Sequence, residues 1–109
     1  MVKSINQYEV YWISLDPTLG RKIARARPCV VVSPDEMNQY LRTIIVIPIT
    51  STIKNYPWRV DCMVSARKGS IATDQIRVVD RTRIGSKIGE LSQKEINALK
   101  EVMLSMLIE

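Results

Sequence analysis

Apolar and polar positions along this chain fall into short alternating runs followed by one stretch of helical period. Tyr8-Glu-Val-Tyr-Trp-Ile-Ser-Leu15 sets Val10, Trp12 and Ser14 on one side and Tyr11, Ile13 and Leu15 on the other. Apolar residues on both sides predict a strand buried on much of both faces. Asp16-Pro17-Thr18 breaks it, and a ten-residue loop is expected through Arg27. Pro28 opens Cys29-Val-Val-Val-Ser33, a β-branched run suited to a central strand. Pro34 to Asn38 reads as a turn or one short helical turn, and Thr43 to Ile47 as a third strand. Pro48 cannot donate a ladder hydrogen bond, so it should fall at an edge, a bulge or a strand end. Trp58, Val60, Cys62 and Val64 alternate with Arg59, Asp61 and Met63, the pattern of a half-exposed strand. Lys68-Gly69 is expected to turn the chain, and Gln75 to Val79 to form a further strand.

The last element is a helix. Ser92 is a good N-cap, Glu95 completes a capping box, and Leu91 with Ile96 can staple the entry. Ile96, Leu99, Val102, Met103, Met106 and Leu107 then recur on one helical face. Five or six short strands and one docked helix make a mainly β chain, a curled antiparallel sheet or small barrel with a C-terminal helix.

Composition narrows the function. The 109 residues fit a single domain spanning 1–109, with no repeat or linker. The longest apolar run, Ile44 to Ile49, is far short of the ~18 residues that span a bilayer. With no signal-like stretch at Met1 to Tyr8, a cytoplasmic protein with no membrane partner is expected. Cys29 and Cys62 lie in apolar runs and read as small core residues, since two thiols cannot build a zinc site. Histidine is absent, which removes His-based nucleophile pairs, His-ligated metals and the commonest general acid/base. No cofactor and no metal are expected. The net charge of +5 is uneven, with fourteen basic against seven acidic residues in 1–88. Such a body attracts polyanions.

The basic loop Gly20-Arg-Lys-Ile-Ala-Arg-Ala-Arg27 reads either as a solvated loop or as a flap over a polyanion. Arg27, held by Pro28 where the loop enters a buried strand, offers a planar fork matched to phosphate oxygens. Thr50, Ser51 and Thr52 end a strand. Their hydroxyls satisfy local backbone groups or, beside Arg27, position a phosphate or a ribose 2′-OH. Asp74 is a turn residue or a proton acceptor, and Gln75 could read a base edge.

These segments together resemble the MazF/PemK toxin family over residues 8–108. The resemblance is carried by Glu9-Val-Tyr-Trp-Ile-Ser-Leu-Asp-Pro-Thr18, Arg27-Pro-Cys-Val-Val-Val-Ser-Pro34, Ile45-Val-Ile-Pro-Ile-Thr-Ser-Thr52, Tyr56-Pro57, Gly69-Ser-Ile-Ala-Thr-Asp-Gln75 and Arg77-Val-Val-Asp80. It implies an SH3-like barrel of the CcdB/PemK type and a homodimer. It also implies a metal-independent endoribonuclease that cuts single-stranded mRNA, blocks translation and is restrained by an acidic MazE/PemI-like antitoxin. Its catalytic residues fall on Arg27, Thr50 and Asp74. Arg21, Lys22, Arg25, Thr52, Lys54, Tyr56, Gln75, Arg77 and Arg83, with Arg81, are the expected RNA contacts, and Trp58 is expected in the core or a dimer interface. The chain departs from the family pattern at Lys22, Arg25 and Ala72, where an acidic residue, a Gly and an Arg are usual. The implied route is attack by the RNA's own 2′-OH on the adjacent phosphate. Two other readings stand beside it. One is a non-catalytic CcdB-type gyrase poison, which would carry a Trp near the helix end. The other is a plain single-strand nucleic-acid-binding module.

Overall fold

The computed structural model describes residues 4–15 and 26–108. Its elements are β1 (Glu9–Ser14), β2 (Ala26–Val31), α1 (Asp35–Tyr40), β3 (Thr43–Thr50), β4 (Arg59–Val64), β5 (Arg67–Ala72), β6 (Arg77–Asp80), β7 (Ile84–Glu90) and α2 (Gln93–Leu107). Single 3-10 turns at Thr73–Gln75 and Arg81–Arg83 flank β6. All pairings are antiparallel, in the order β4-β5-β3-β2-β1-β7, with β6 against β3. The chain is therefore a mostly antiparallel half-barrel with a C-terminal helix, as the alternation and the resemblance imply.

β3 joins the two parts of the sheet. Thr43 to Val46 register with β6, whereas Ile49 and Thr50 register with β5. Pro48 lies between these two partners and faces Cys29 of β2 on its other side. Its missing N–H thus falls where the neighbour changes, the kind of irregularity a strand proline requires.

Two strands, β5 and β7, escape the sequence pattern. Arg67–Ala72 and Ile84–Glu90 have little alternation, and each contains glycine. The turn expected at Lys68-Gly69 sits instead at Ser65-Ala66, whose φ values of 50° and 63° place both in the left-handed region. Gly69 is a strand residue because β5 crowds the end of β3 there. A Cβ on it would lie 2.7 Å from Ile49 Cγ2 and 3.1 Å from the Thr50 carbonyl oxygen.

The sheet curls until β4 approaches β7. Ser65 Oγ donates to the Ile88 carbonyl at 2.7 Å, and the Met63 amide donates to Glu95 Oε2 at 2.8 Å. Glu95 accepts from the Ser92 amide through its other oxygen, so the capping carboxylate of α2 also covers the edge of β4. β1, β2 and β3 feed both of two cores. Val10, Val30 and Ile47 pack with Val60, Ile71, Leu91 and Leu99. Tyr11, Ile13, Cys29, Val31, Ile44 and Val46 pack on the opposite face. This explains the two-sided apolar pattern of β1. Ile96, Leu99, Val102 and Met103 dock α2 on the first core, but the stripe does not stay covered: Met106 and Leu107 are exposed beside Leu104 and Ile108. No helix of the described residues is long and apolar enough to cross a membrane.

One charged group is built into the barrel wall. Glu9 accepts from Tyr11 Oη at 2.6 Å, Lys87 Nζ at 2.8 Å and the Asn6 amide at 2.9 Å. Burial acts to raise its pKa, but the hydrogen bonds from Lys87, Tyr11 and Asn6 hold it down to about 2. A folded-state pKa below the unfolded value makes a contribution that is complete above about 4.5 and lost as pH falls towards 2. Glu9→Gln is therefore expected to melt below wild type at neutral pH. The two melting curves should converge as pH drops through that window. A gap between them that does not change with pH contradicts this.

Candidate active site

A cleft of about 340 Å³ is lined by residues of β1, β2, β3, β4, β5 and β7. Val10, Ile49, Cys62, Val64 and Ile88 supply its apolar lining, and Arg27, Thr50, Ser51, Thr52, Arg67 and Lys68 its polar lining. The structure thus brings Arg27 and Thr50, far apart in sequence, to one cavity. Arg27 is the second residue of β2 and is exposed. Its neighbour Pro28 fixes the backbone and registers opposite Trp12 of β1. Thr50 ends β3 opposite Ser70, and its Oγ1 accepts from the Thr52 amide at 3.1 Å. That local bond consumes one lone pair and leaves the hydroxyl proton to be donated.

Both cysteines are buried, and burial pushes each thiol up to about 12, so neither is a nucleophile near neutrality. The positive charges of Arg77 and Arg27 act against that rise at Cys29. Arg77 is exposed on β6 and is not among the residues lining the cleft. An apolar floor beneath cations strengthens their interaction with an anion, because little water is left to screen it.

Asp74 is not among the residues lining this cleft. It accepts from Arg59 Nε at 3.0 Å and Nη2 at 3.2 Å, a two-pronged pair. The Arg59 hydrogen bonds are the main cause holding its carboxyl below the usual range, which weakens it as a proton acceptor. Arg59 in turn lies 5.6 Å from the Tyr56 ring centroid, and Tyr56 stacks on Trp58 with centroids 4.8 Å apart. Trp58, expected in the core or an interface, is 39% exposed as part of this stack. Lys54, Asn55, Tyr56 and Arg59 share a shallow groove, with Gln75 exposed on the turn that carries Asp74.

Other expected contacts divide between surface and scaffold. Arg83 donates to the Ser14 carbonyl at 3.4 Å, and Arg81 donates to the carbonyls of Asn38 and Leu41, tying α1 to the turn after β6. Arg21, Lys22 and Arg25 lie outside the described residues. Sequence reading missed Arg67 and Lys68 because it placed a turn across Lys68-Gly69. The two-residue spacing from the β-branched end of β4 at Val64 was the available signal for a hairpin bringing them to the cleft.

Comparison with known proteins agrees with this geometry. Residues 6–107 match the model of the PemK-like, MazF-like toxins of type II toxin–antitoxin systems. The chain is 31% identical over 93 residues to the endoribonuclease toxin MazF of Escherichia coli K12, covering 84% of each chain. It is 26% identical over 105 residues to endoribonuclease EndoA of Bacillus subtilis 168, covering 91% of this chain and 90% of the relative. Among solved structures, MazF of Deinococcus radiodurans superposes with a TM-score of 0.83 at 23% identity, covering 99% of this chain and all of that one. A MazE–MazF structure from the same organism gives a TM-score of 0.81 at 23% identity, covering 96% of this chain and 97% of the other.

Proposed function

The chain belongs to the PemK-like, MazF-like toxin family of type II toxin–antitoxin systems and is an endoribonuclease toxin, and we propose that it cuts single-stranded mRNA at the cleft shared by Arg27 and Thr50. The observation that carries this reading is the convergence of those two residues on one apolar-floored cavity. Among the described residues, no carboxylate pairs with Arg27.

The chemistry follows from what the cleft contains. The 2′-hydroxyl of the cleaved nucleotide attacks its own 3′-phosphorus. A 2′-oxygen–phosphorus bond forms, the bond to the 5′-oxygen breaks, the 2′ proton is released to water, and the leaving 5′-oxygen takes up a proton from water. The products are a 2′,3′-cyclic phosphate and a 5′-hydroxyl. Arg27 donates to the non-bridging oxygens as charge builds on them, and Thr50 fixes the phosphate or the 2′-OH. Arginine stays protonated, so its part is electrostatic. Asp74, committed to Arg59 outside the cleft wall, orders the Arg59–Tyr56–Trp58 surface in this reading. Unstacked bases can lie on exposed aromatic rings there, beside Lys54 and Gln75. Thr52 lines the cleft, and Arg77, Arg83, Arg21, Lys22 and Arg25 are the further cations assigned to RNA contact in this reading.

An acidic antitoxin suits the same cationic surface, and a cytoplasmic setting suits both. The exposed apolar end of α2 supports a homodimer. Sedimentation velocity is expected to give twice the chain mass, and Leu104→Asp to give the monomer. For the activity itself, a long mixed RNA incubated with the protein in excess EDTA is the test. Discrete cuts with 5′-hydroxyl ends are expected, and arrest by EDTA or 5′-phosphate ends would contradict the route.

A further inference from the structure

Arg67 is a cation that the established activity leaves unassigned. It begins β5 directly after the Ser65-Ala66 turn, and it lines the cleft together with Arg27 and Thr50. Its guanidinium carbon lies 4.9 Å from the centroid of the Trp12 ring. Trp12 registers opposite Pro28, the residue after Arg27, so the indole ties Arg67 to the strand pair that presents Arg27. Gly69 lets β5 close on the end of β3 at the same place, where a Cβ would strike Ile49 and Thr50.

Among the described residues, Arg59 is engaged by Asp74 and Lys87 by Glu9, whereas no carboxylate pairs with Arg67 or with its neighbour Lys68. A guanidinium resting on an aromatic face keeps its N–H edge free to donate in plane, and its long side chain is already restricted before a ligand arrives. Such a group is prepared to grip an oxyanion at low entropic cost.

Building on the ribonuclease reading, we propose that Arg67, held by Trp12, binds the RNA phosphate next to the scissile one. Arg27 acts on the phosphorus that reacts. Arg67 holds its neighbour and so sets which internucleotide linkage enters the cleft. Arg67 is a binding residue and Trp12 a positioning residue.

The test uses a short RNA spanning a cut site mapped with the wild-type protein, carrying one 2′-deoxy substitution at the cleaved nucleotide so that binding is read without turnover. Arg67→Gln, which keeps a stem over the indole, is expected to weaken binding at least tenfold. It should also lower the slope of log affinity against log salt by about 0.7, the value for one lost phosphate contact on a single strand. Arg67→Lys should restore the slope but not the affinity. Trp12→Leu should weaken binding with the slope unchanged, since the charge remains. Melting curves of each variant show that it is folded. A folded Arg67→Gln protein that binds with wild-type affinity and slope overturns the proposal, while wild-type cleavage leaves the ribonuclease reading standing. A wild-type protein that cuts no RNA removes that reading, whatever Arg67 does.

Discussion

Arg27→Ala is expected to lower the single-turnover rate of RNA cleavage by about 10²–10³-fold, the range seen when one donor to a developing oxyanion is removed. The loss should be in the chemical step. Arg67 and Lys68 remain in the cleft wall and still attract the polyanion, so affinity for an uncleavable RNA should fall by much less. Arg27→Lys should recover little of the rate, because an ammonium keeps the charge but loses the planar fork. The residue is exposed, so the melting temperature should barely move. A variant that binds poorly but cleaves normally once bound would make Arg27 a docking residue instead.

The second large effect is on stability. Leu99 is fully buried where α2 meets the barrel, packed with Val60, Cys62, Val64 and Ile71 in one core. Leu99→Ala removes methyl groups from a site that cannot collapse without moving the helix off the sheet, and should cost about 2–5 kcal/mol. Against a total of about 5–15 kcal/mol, that is a large share. The melting temperature should fall by about 8–20 °C at roughly 4 °C per kcal/mol. Met63→Ala, at an exposed position of β4, should cost under about 0.5 kcal/mol. Chemical denaturation of the two variants side by side checks this, and similar midpoints would contradict the packing described.

Much of this was legible in the chain. The helix and its cap were readable because Ser92, Glu95 and the apolar stripe are local signals that agree with one another. β1, β2, β3 and β4 were readable because burial imposes alternation or continuous β-branching on them. β5 and β7 were not, since their interior positions are partly glycine and serine, chosen for close approach to neighbouring strands. Register carries that information, and register is non-local. The site divides in the same way. Arg27 and Thr50 could be named from motifs that resemble the family. The partnering of Asp74 with Arg59, and the arrival of Arg67 on Trp12, depend on a hairpin whose Ser-Ala turn has none of the usual glycine or asparagine. The apolar stripe of α2 was legible as one helical face, but how far the barrel covers it was not: Leu104, Met106, Leu107 and Ile108 of the last turn are exposed.

Cleavage of one mapped RNA, compared with the same RNA lacking a single 2′-hydroxyl at the cut nucleotide, probes the chemistry most directly. Loss of scission with binding retained is the expected result, because the substrate provides the nucleophile and Arg27 and Thr50 only hold and stabilise it. Continued scission of the deoxy substrate at the same bond would show that water or a protein group attacks, and would contradict the account.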